Sequence, residues 1–299
     1  MRPIRLLIIY LIFVFLGAAL LSPLLYQSVQ IISRHSSLAG KFAGEPFHRS
    51  VNRSLLFFAI VGVWPFLRAL NISPGRDFGL ATFPRHWRNS VAGFLLGFAS
   101  LAILAIGIVL AGVRTLDFQQ TLQTIFMGLF RAATTAVVVA FLEETLYRGA
   151  FFGALRKTIS WLNALIISSA VFALCHFFGK AESPVVINWL SGFFTLGSMF
   201  RGFIDLHALV PGFINLFLVG GILAWAFQRT GNLFFSIGLH AGWIFWLRSL
   251  SLLTNKSPAA PSVIWGGSKM IDGWAASVVL LAVLAAVIFK QKQPVYVTH

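Results

Sequence analysis

The 299-residue chain is 58% hydrophobic and only 10% charged, with a mean hydropathy of +0.85. These shares lie far from those of soluble domains and mark a membrane protein. Only 8 acidic residues stand against 23 basic ones, so the formal charge of +15 reflects a shortage of acids more than a surplus of bases. Nucleic acid is therefore not an expected partner, since nucleic-acid binders carry basic stripes on polar faces. Here Arg34, Lys41, Arg49, Arg53, Arg76, Arg85, Arg88, Arg156 and Lys157 fall in gaps between apolar runs, where anionic lipid head groups would sit.

Apolar runs near 4–27, 52–71, 91–113, 122–146, 161–178, 208–227, 232–250 and 273–290 approach the roughly 20 residues that a spanning helix needs. The expected fold is all-α: a polytopic transmembrane helical bundle of about eight spans, with the catalytic core in the later helices. Alternating ten-residue strands are nearly absent, which argues against a barrel. The first run, 4–26, is longer than a signal-peptide core and reads as a retained span or uncleaved anchor. Counting lysines and arginines on alternate sides leaves the topology nearly balanced, with a lean to both ends inside. The stretch 185–200, interrupted by Asn188, Ser191 and Gly192, reads as a partial or interfacial helix.

No repeat, low-complexity tract or long linker divides the chain, so one integral domain over 1–299 is expected. Within it, 1–120 holds spans of unassigned role, 120–250 a peptidase-like core, and 251–299 a loop and the last span. Arg68, near a span end, snorkels.

Chemistry concentrates in the fourth run, at FLEETLYRGAFFG, 141–153. Glu143 and Glu144 are a quarter of all the acids, placed where an unpaired charge costs several kcal/mol. Arg148 follows Glu144 by four residues and shares its helix face, in the favourable acid-first order, while Glu143 points about 100° away. The plainer alternative puts both acids at a helix end in head-group water. Gly149 and Gly153 then mark a helix end or a close approach to a neighbour.

Two further ionisable residues fall within spans, His176 in VFALCHFFG and His240 in SIGLHAGWIF. Each alone reads as a satisfied interhelical hydrogen bond. Beside the carboxylates, on three separate helices, they supply the groups needed to activate a water inside a bundle. Phe172, one turn before His176, either walls the imidazole from lipid or packs in the core. RTGNL at 229–233 reads as a helix stop and restart, with glycine at one cap and Asn232 at the next.

These residues, in order and spacing, resemble the EExxxR, FxxxH and histidine-helix motifs of the CAAX protease and bacteriocin-processing family of intramembrane proteases. The resemblance runs over about 120–248. It implies a glutamic-type or metal-assisted peptidase acting on a membrane-associated or lipidated peptide. Carried over, Glu143 is the base that activates water, Glu144 and Arg148 support it, and His176 and His240 polarise the carbonyl and hold the oxyanion or bind a metal. Phe172, Tyr147 and Trp243 are the expected substrate pocket. No cofactor is expected. The alternative is zinc on Glu143, His176 and His240, whose count satisfies three-ligand arithmetic.

One position departs from the pattern. Many members carry Asn or another small polar residue four after the last histidine; here it is Ile244, which neither donates to an oxyanion nor ligates metal. Either another donor substitutes, with Asn163, Asn188 and Asn215 as candidates, or activity is altered or lost.

Other readings leave different marks. There is no HExxH helix, no pair of intramembrane aspartates and no GxSG. Cys175, the only cysteine, forms no internal disulfide and diverges from His176 by about 100° on a helix, so it reads as a packing residue. A transporter would show repeated halves. A non-catalytic scaffold or immunity protein that keeps the motifs for packing takes its support from Ile244. The histidines at 35, 48, 86, 207 and 299 fall in loops or the tail, Asp205 lies on a solvated face, and the tryptophans read as interfacial belts. The expected location is a bacterial inner membrane.

Overall fold

The computed structural model describes residues 2–34, 42–78, 80, 83–178, 182–203, 206–257, 262–266 and 270–290. Readings placed on His35, Lys41, Asp205 and His299 lie outside these. In chain order the long elements are α1 (Arg2–Ser33), α2 (His48–Ala69), α3 (Phe83–Leu110), β1 (Arg114–Leu116), α4 (Leu122–Leu155), α5 (Trp161–Cys175), α6 (Ser191–Met199), α7 (Leu206–Thr230), α8 (Phe234–Leu253), β2 (Thr254–Lys256) and α9 (Trp274–Lys290).

A helix thus stands at each of the eight apolar runs. Five of them, in α1, α2, α3, α4 and α7, are long and apolar enough to cross a membrane. Helices α5 and α9 are apolar but shorter, and the 20-residue α8 carries His240 and Arg248. The chain is an all-α integral membrane protein. The stretch read as a partial helix forms the nine-residue α6 followed by a short 3-10 turn.

The chain separates into two compact units. The first comprises residues 1–72 and 177–205. In it α1 and α2 pack along each other: Tyr10 donates from its hydroxyl to the Ala59 carbonyl at 3.0 Å, and Gly62 lets the rings of Tyr10 and Phe13 approach. Gly192 brings α6 against the Ala19 carbonyl of α1, over a small core of Ala19, Phe47, Val51 and Leu196.

The second unit comprises residues 73–176 and 206–299 and contains every motif residue. Its tightest seam joins α3 to α8. A Cβ on Gly93 or Gly97 would run into the α8 backbone at Phe235 and Leu239, and one on Gly238 or Gly242 into the α3 backbone at Ser90, Phe94 and Phe98. Two four-residue glycine spacings interlock, so the backbones meet with no side chain between them, the packing that small residues permit in lipid. Between α7 and α8, Gly231 adopts φ +66, and Asn232 Oδ1 accepts the Phe234 N–H at 3.2 Å. The helix stop and restart stands where its sequence implied, but the cap position before α8 falls on Leu233 rather than Asn232.

One feature of this unit has no counterpart in the sequence reading. Strands β1 and β2 pair antiparallel, Thr115 opposite Asn255, and Arg114 Nε donates to Thr254 Oγ1 at 2.7 Å. This ribbon ties the α3–α4 connection to the end of α8. Elsewhere, Asn215 of α7 donates to the carbonyls of Ile271 and Gly273 at 2.7 and 2.9 Å and accepts from Ser277 at 2.6 Å, fastening α9.

Candidate active site

Helix α4 does not end at the carboxylates. It runs on through a π-helical segment, Thr145–Phe152, before closing at Leu155, so both glutamates lie inside a continuous helix. Wide turns of this kind are rare and cluster at functional sites. Gly149 faces the buried ring of Phe78, where a Cβ would meet ring carbons at 2.7 Å. Of the two expectations for this glycine, close approach holds and helix end does not.

Glu144 is 0% exposed and Arg148 2%. Two such charges persist in an apolar interior only when paired and hydrogen-bonded. Arg148 Nη1 donates to Glu144 Oε1 at 2.9 Å, Nη2 reaches the Gly220 carbonyl of α7 at 3.5 Å, and the guanidinium lies 4.3 Å above the Phe172 ring centroid. The same Glu144 oxygen meets His240 Nδ1 at 2.8 Å. A carboxylate accepts and an imidazole Nδ1–H donates, so Arg148, Glu144 and His240 form one buried chain across two helices.

His176 is the C-cap of α5 rather than an interior residue of a span. Its Nδ1 lies 2.7 Å from the Phe172 carbonyl. A carbonyl only accepts, which makes Nδ1 the donor and satisfies one of the carbonyls left open at a helix end. Both imidazoles therefore commit Nδ1 to a fixed partner and turn Nε2 elsewhere. Those two Nε2 atoms converge on one oxygen, Glu143 Oε2, at 3.6 Å from His176 and 3.8 Å from His240. These separations exceed a direct hydrogen bond, and Glu143 Oε2 is buried with no bonded partner among the described residues.

Phe172, 1% exposed, stands between the histidines, its ring centroid 4.3 Å from that of His176 and 6.0 Å from that of His240. Tyr147 sets its ring edge-on to Phe172 at 5.1 Å. Glu143, Glu144, Arg148, His176, His240, Phe172 and Tyr147 are thus brought together. Trp243 is turned another way, its indole N–H donating to Ser100 of α3 at 2.9 Å.

Ile244, one turn beyond His240, packs with Ala136 and Ala140 of α4 and Ala241, an apolar contact one turn from Glu144. Two of the three asparagines considered as substitute donors lie in the second unit and do not reach the cluster: Asn215 is spent on α9, and Asn163 is exposed at the first turn of α5, the end opposite His176. Asn188, in the other compact unit, bonds within its own turn to Leu190 and Ser191.

Among the described residues no three His, Cys, Asp or Glu side chains stand close enough to hold an ion as they are placed, while the bond from His240 Nδ1 to Glu144 leaves Nε2 as its open ring nitrogen.

Sequence reasoning missed the partners that are not ionisable: Phe78 against Gly149, the Gly220 carbonyl under Arg148, and the glycines that seat α8. The last were visible as Gly93/Gly97 and Gly238/Gly242, a four-residue spacing that flanks His240 itself. No curated protein and no solved structure matches the chain. A family model does, over residues 124–246, and its description is type II CAAX prenyl endopeptidase Rce1-like. That span covers α4 from its first turn through His240, all three motifs included, so residues 124–246 of this membrane chain are similar to the Rce1-like type II CAAX prenyl endopeptidases.

Proposed function

We propose that the second unit is an intramembrane endopeptidase that hydrolyses a peptide bond with a water activated by Glu143. The observation that carries this reading is the convergence of His176 Nε2 and His240 Nε2 on Glu143 Oε2, a buried carboxylate oxygen with no bonded partner among the described residues. A water held there loses its proton to Glu143 as its oxygen attacks the scissile carbonyl carbon. His240, held by the Glu144 carboxylate behind it, presents Nε2 to the oxyanion, and Arg148 braces Glu144. His176, fixed by the Phe172 carbonyl, orients the water. Glu143 then returns the proton to the departing amine, which restores the starting state.

Phe172 and Tyr147 form the wall against which the substrate backbone lies. The substrate is a membrane-associated peptide: a lipidated C-terminal segment, by the family's description, or a leader-type segment of another membrane or secreted protein. Membrane lipids are its other partners, and a bacterial inner membrane is its proposed location.

A non-catalytic scaffold or immunity protein is the second reading, favoured by the apolar setting of Ile244. Cleavage of a membrane-associated peptide library by lipid-reconstituted protein separates the two. Loss of cleavage in folded Glu143→Ala and His240→Ala supports the peptidase; a wild type that cuts nothing the variants spare supports the scaffold. Metal analysis of the purified protein tests metal independence, which one tightly held zinc per chain, lost on replacing either histidine, would overturn.

A further inference from the structure

Phe78 belongs to none of the three motif helices. It lies in the connection between α2 and α3, fully buried, just after a helical turn at Pro74–Asp77. Its ring rests on Gly149, the residue that follows Arg148 in the π segment, so it bears on the backbone that carries Arg148 and, about one turn earlier, Glu144. Its carbonyl accepts the N–H of Leu233 at 3.2 Å, the residue immediately before α8. His240 lies about two turns further on. One residue therefore touches both helices of the buried carboxylate–imidazole pair, one through its side chain and the other through its main chain.

The turn that presents Phe78 is itself anchored. The Ser73 N–H donates to Asp77 Oδ2 at 2.7 Å, and Lys157, just past the end of α4, pairs with Asp77 at 3.4 Å. The ring side and the charged side of this turn thus grip the same helix.

We propose that Phe78 is a positioning residue that sets the register of α4 against α8 and so holds Glu144 and His240 at bonding distance. A charge-assisted hydrogen bond of 2.8 Å demands that register, because its strength falls steeply with distance and angle. Glycine at 149 is the complement of the ring: any Cβ there displaces Phe78 or moves the helix.

The test uses full-length protein in lipid nanodiscs, as wild type, Phe78→Leu, Gly149→Ala and the double variant. The kinetic arm rests on the peptidase reading. Gly149→Ala is expected to lower kcat by about tenfold or more with KM little changed, as sub-ångström misplacement of reacting groups does, and Phe78→Leu in the same chain is expected to recover most of that loss. The spectroscopic arm is independent of activity: the His240 Nδ1 proton, read by nitrogen-15 NMR of histidine-labelled protein, should be strongly downfield in wild type and move upfield in Phe78→Leu. A double variant as slow as Gly149→Ala, or a folded Phe78→Leu with an unchanged His240 resonance, overturns the proposal. A wild type without cleavage sinks the peptidase reading instead, and the resonance alone then decides the role of Phe78.

Discussion

Replacing Gly242 by alanine tests whether the seam between α3 and α8 sets the site geometry. The added Cβ would stand 2.6 Å from both the Phe94 carbonyl oxygen and the Phe98 nitrogen. These are main-chain atoms of a packed helix, with no rotamer to yield. Ordinary contact begins near 3.4 Å, so α8 must retreat by about 0.8 Å. His240 is two residues away and bonded to Glu144 at 2.8 Å; the same retreat carries that pair beyond 3.5 Å and ends the bond. Overpacking of this kind costs about 1–3 kcal/mol, and displacement of a catalytic group by about 1 Å costs up to roughly 100-fold in rate. The assay is thermal unfolding in detergent beside cleavage in reconstituted lipid. Gly221→Ala is the control, since its Cβ would meet only Leu165 and Ser169 at 3.7 and 3.9 Å. Gly242→Ala should lower both the midpoint and kcat while Gly221→Ala spares them. A Gly242→Ala protein with wild-type midpoint and kcat would refute the argument that the seam positions His240.

Glu144→Gln should destabilise the protein by about 3–5 kcal/mol, because it strands the buried Arg148 guanidinium; thermal unfolding should show Glu143→Gln, whose side chain is 28% exposed, losing far less stability while losing cleavage. Asn215→Ala removes three hydrogen bonds that fasten α9 and should expose two buried carbonyls at about 1–3 kcal/mol, read as faster proteolysis of the C-terminal segment. Ile244→Asn puts an amide among Ala136, Ala140 and Ala241 and should cost a similar amount; an unchanged midpoint would mean that a polar partner lies within its reach. Outside the membrane, hydrogen bonds from Gln120 and Gln119 hold the Asp117 carboxyl below its usual range. The depressed value means that its contribution is present above the ordinary carboxylate range and lost as pH falls through the lowered one, so the Gln119 amide should exchange faster only in that acid window, and Asp117→Asn should remove the pH step.

The helices and the ionisable cluster were legible for one reason: in an apolar chain a charge is costly enough to stand out. Glu143, Glu144, Arg148, His176 and His240 announced themselves, and the structure brings them together. What stayed hidden was steric. Phe78 is one phenylalanine among 31, and only the empty Cβ position of Gly149 distinguishes it. Continuation of α4 past Glu144 as a π segment left no mark, because TLYRGAFF contains nothing that forces a wide turn. His176 was misjudged as an interior residue since FFG at 177–179 extends the apolar run, although the helix stops at Cys175. The β1–β2 ribbon escaped notice because three-residue strands carry no periodicity. Trp243, expected in the substrate pocket, spends its indole on α3 because its place on the helix turns it to Ser100.

The recognisable part of this enzyme-like unit is not a transplantable part. Helix α3 lies wholly upstream of the matched residues 124–246, yet its bare backbone at Gly93 and Gly97 is what α8 rests on. A graft of the matched segment into another scaffold would carry every acid and imidazole and leave the histidine helix without its seat. Distant relatives could therefore share all three motifs and still differ in the helix that braces them, each lineage free to solve that packing problem anew provided it keeps two smooth surfaces in register.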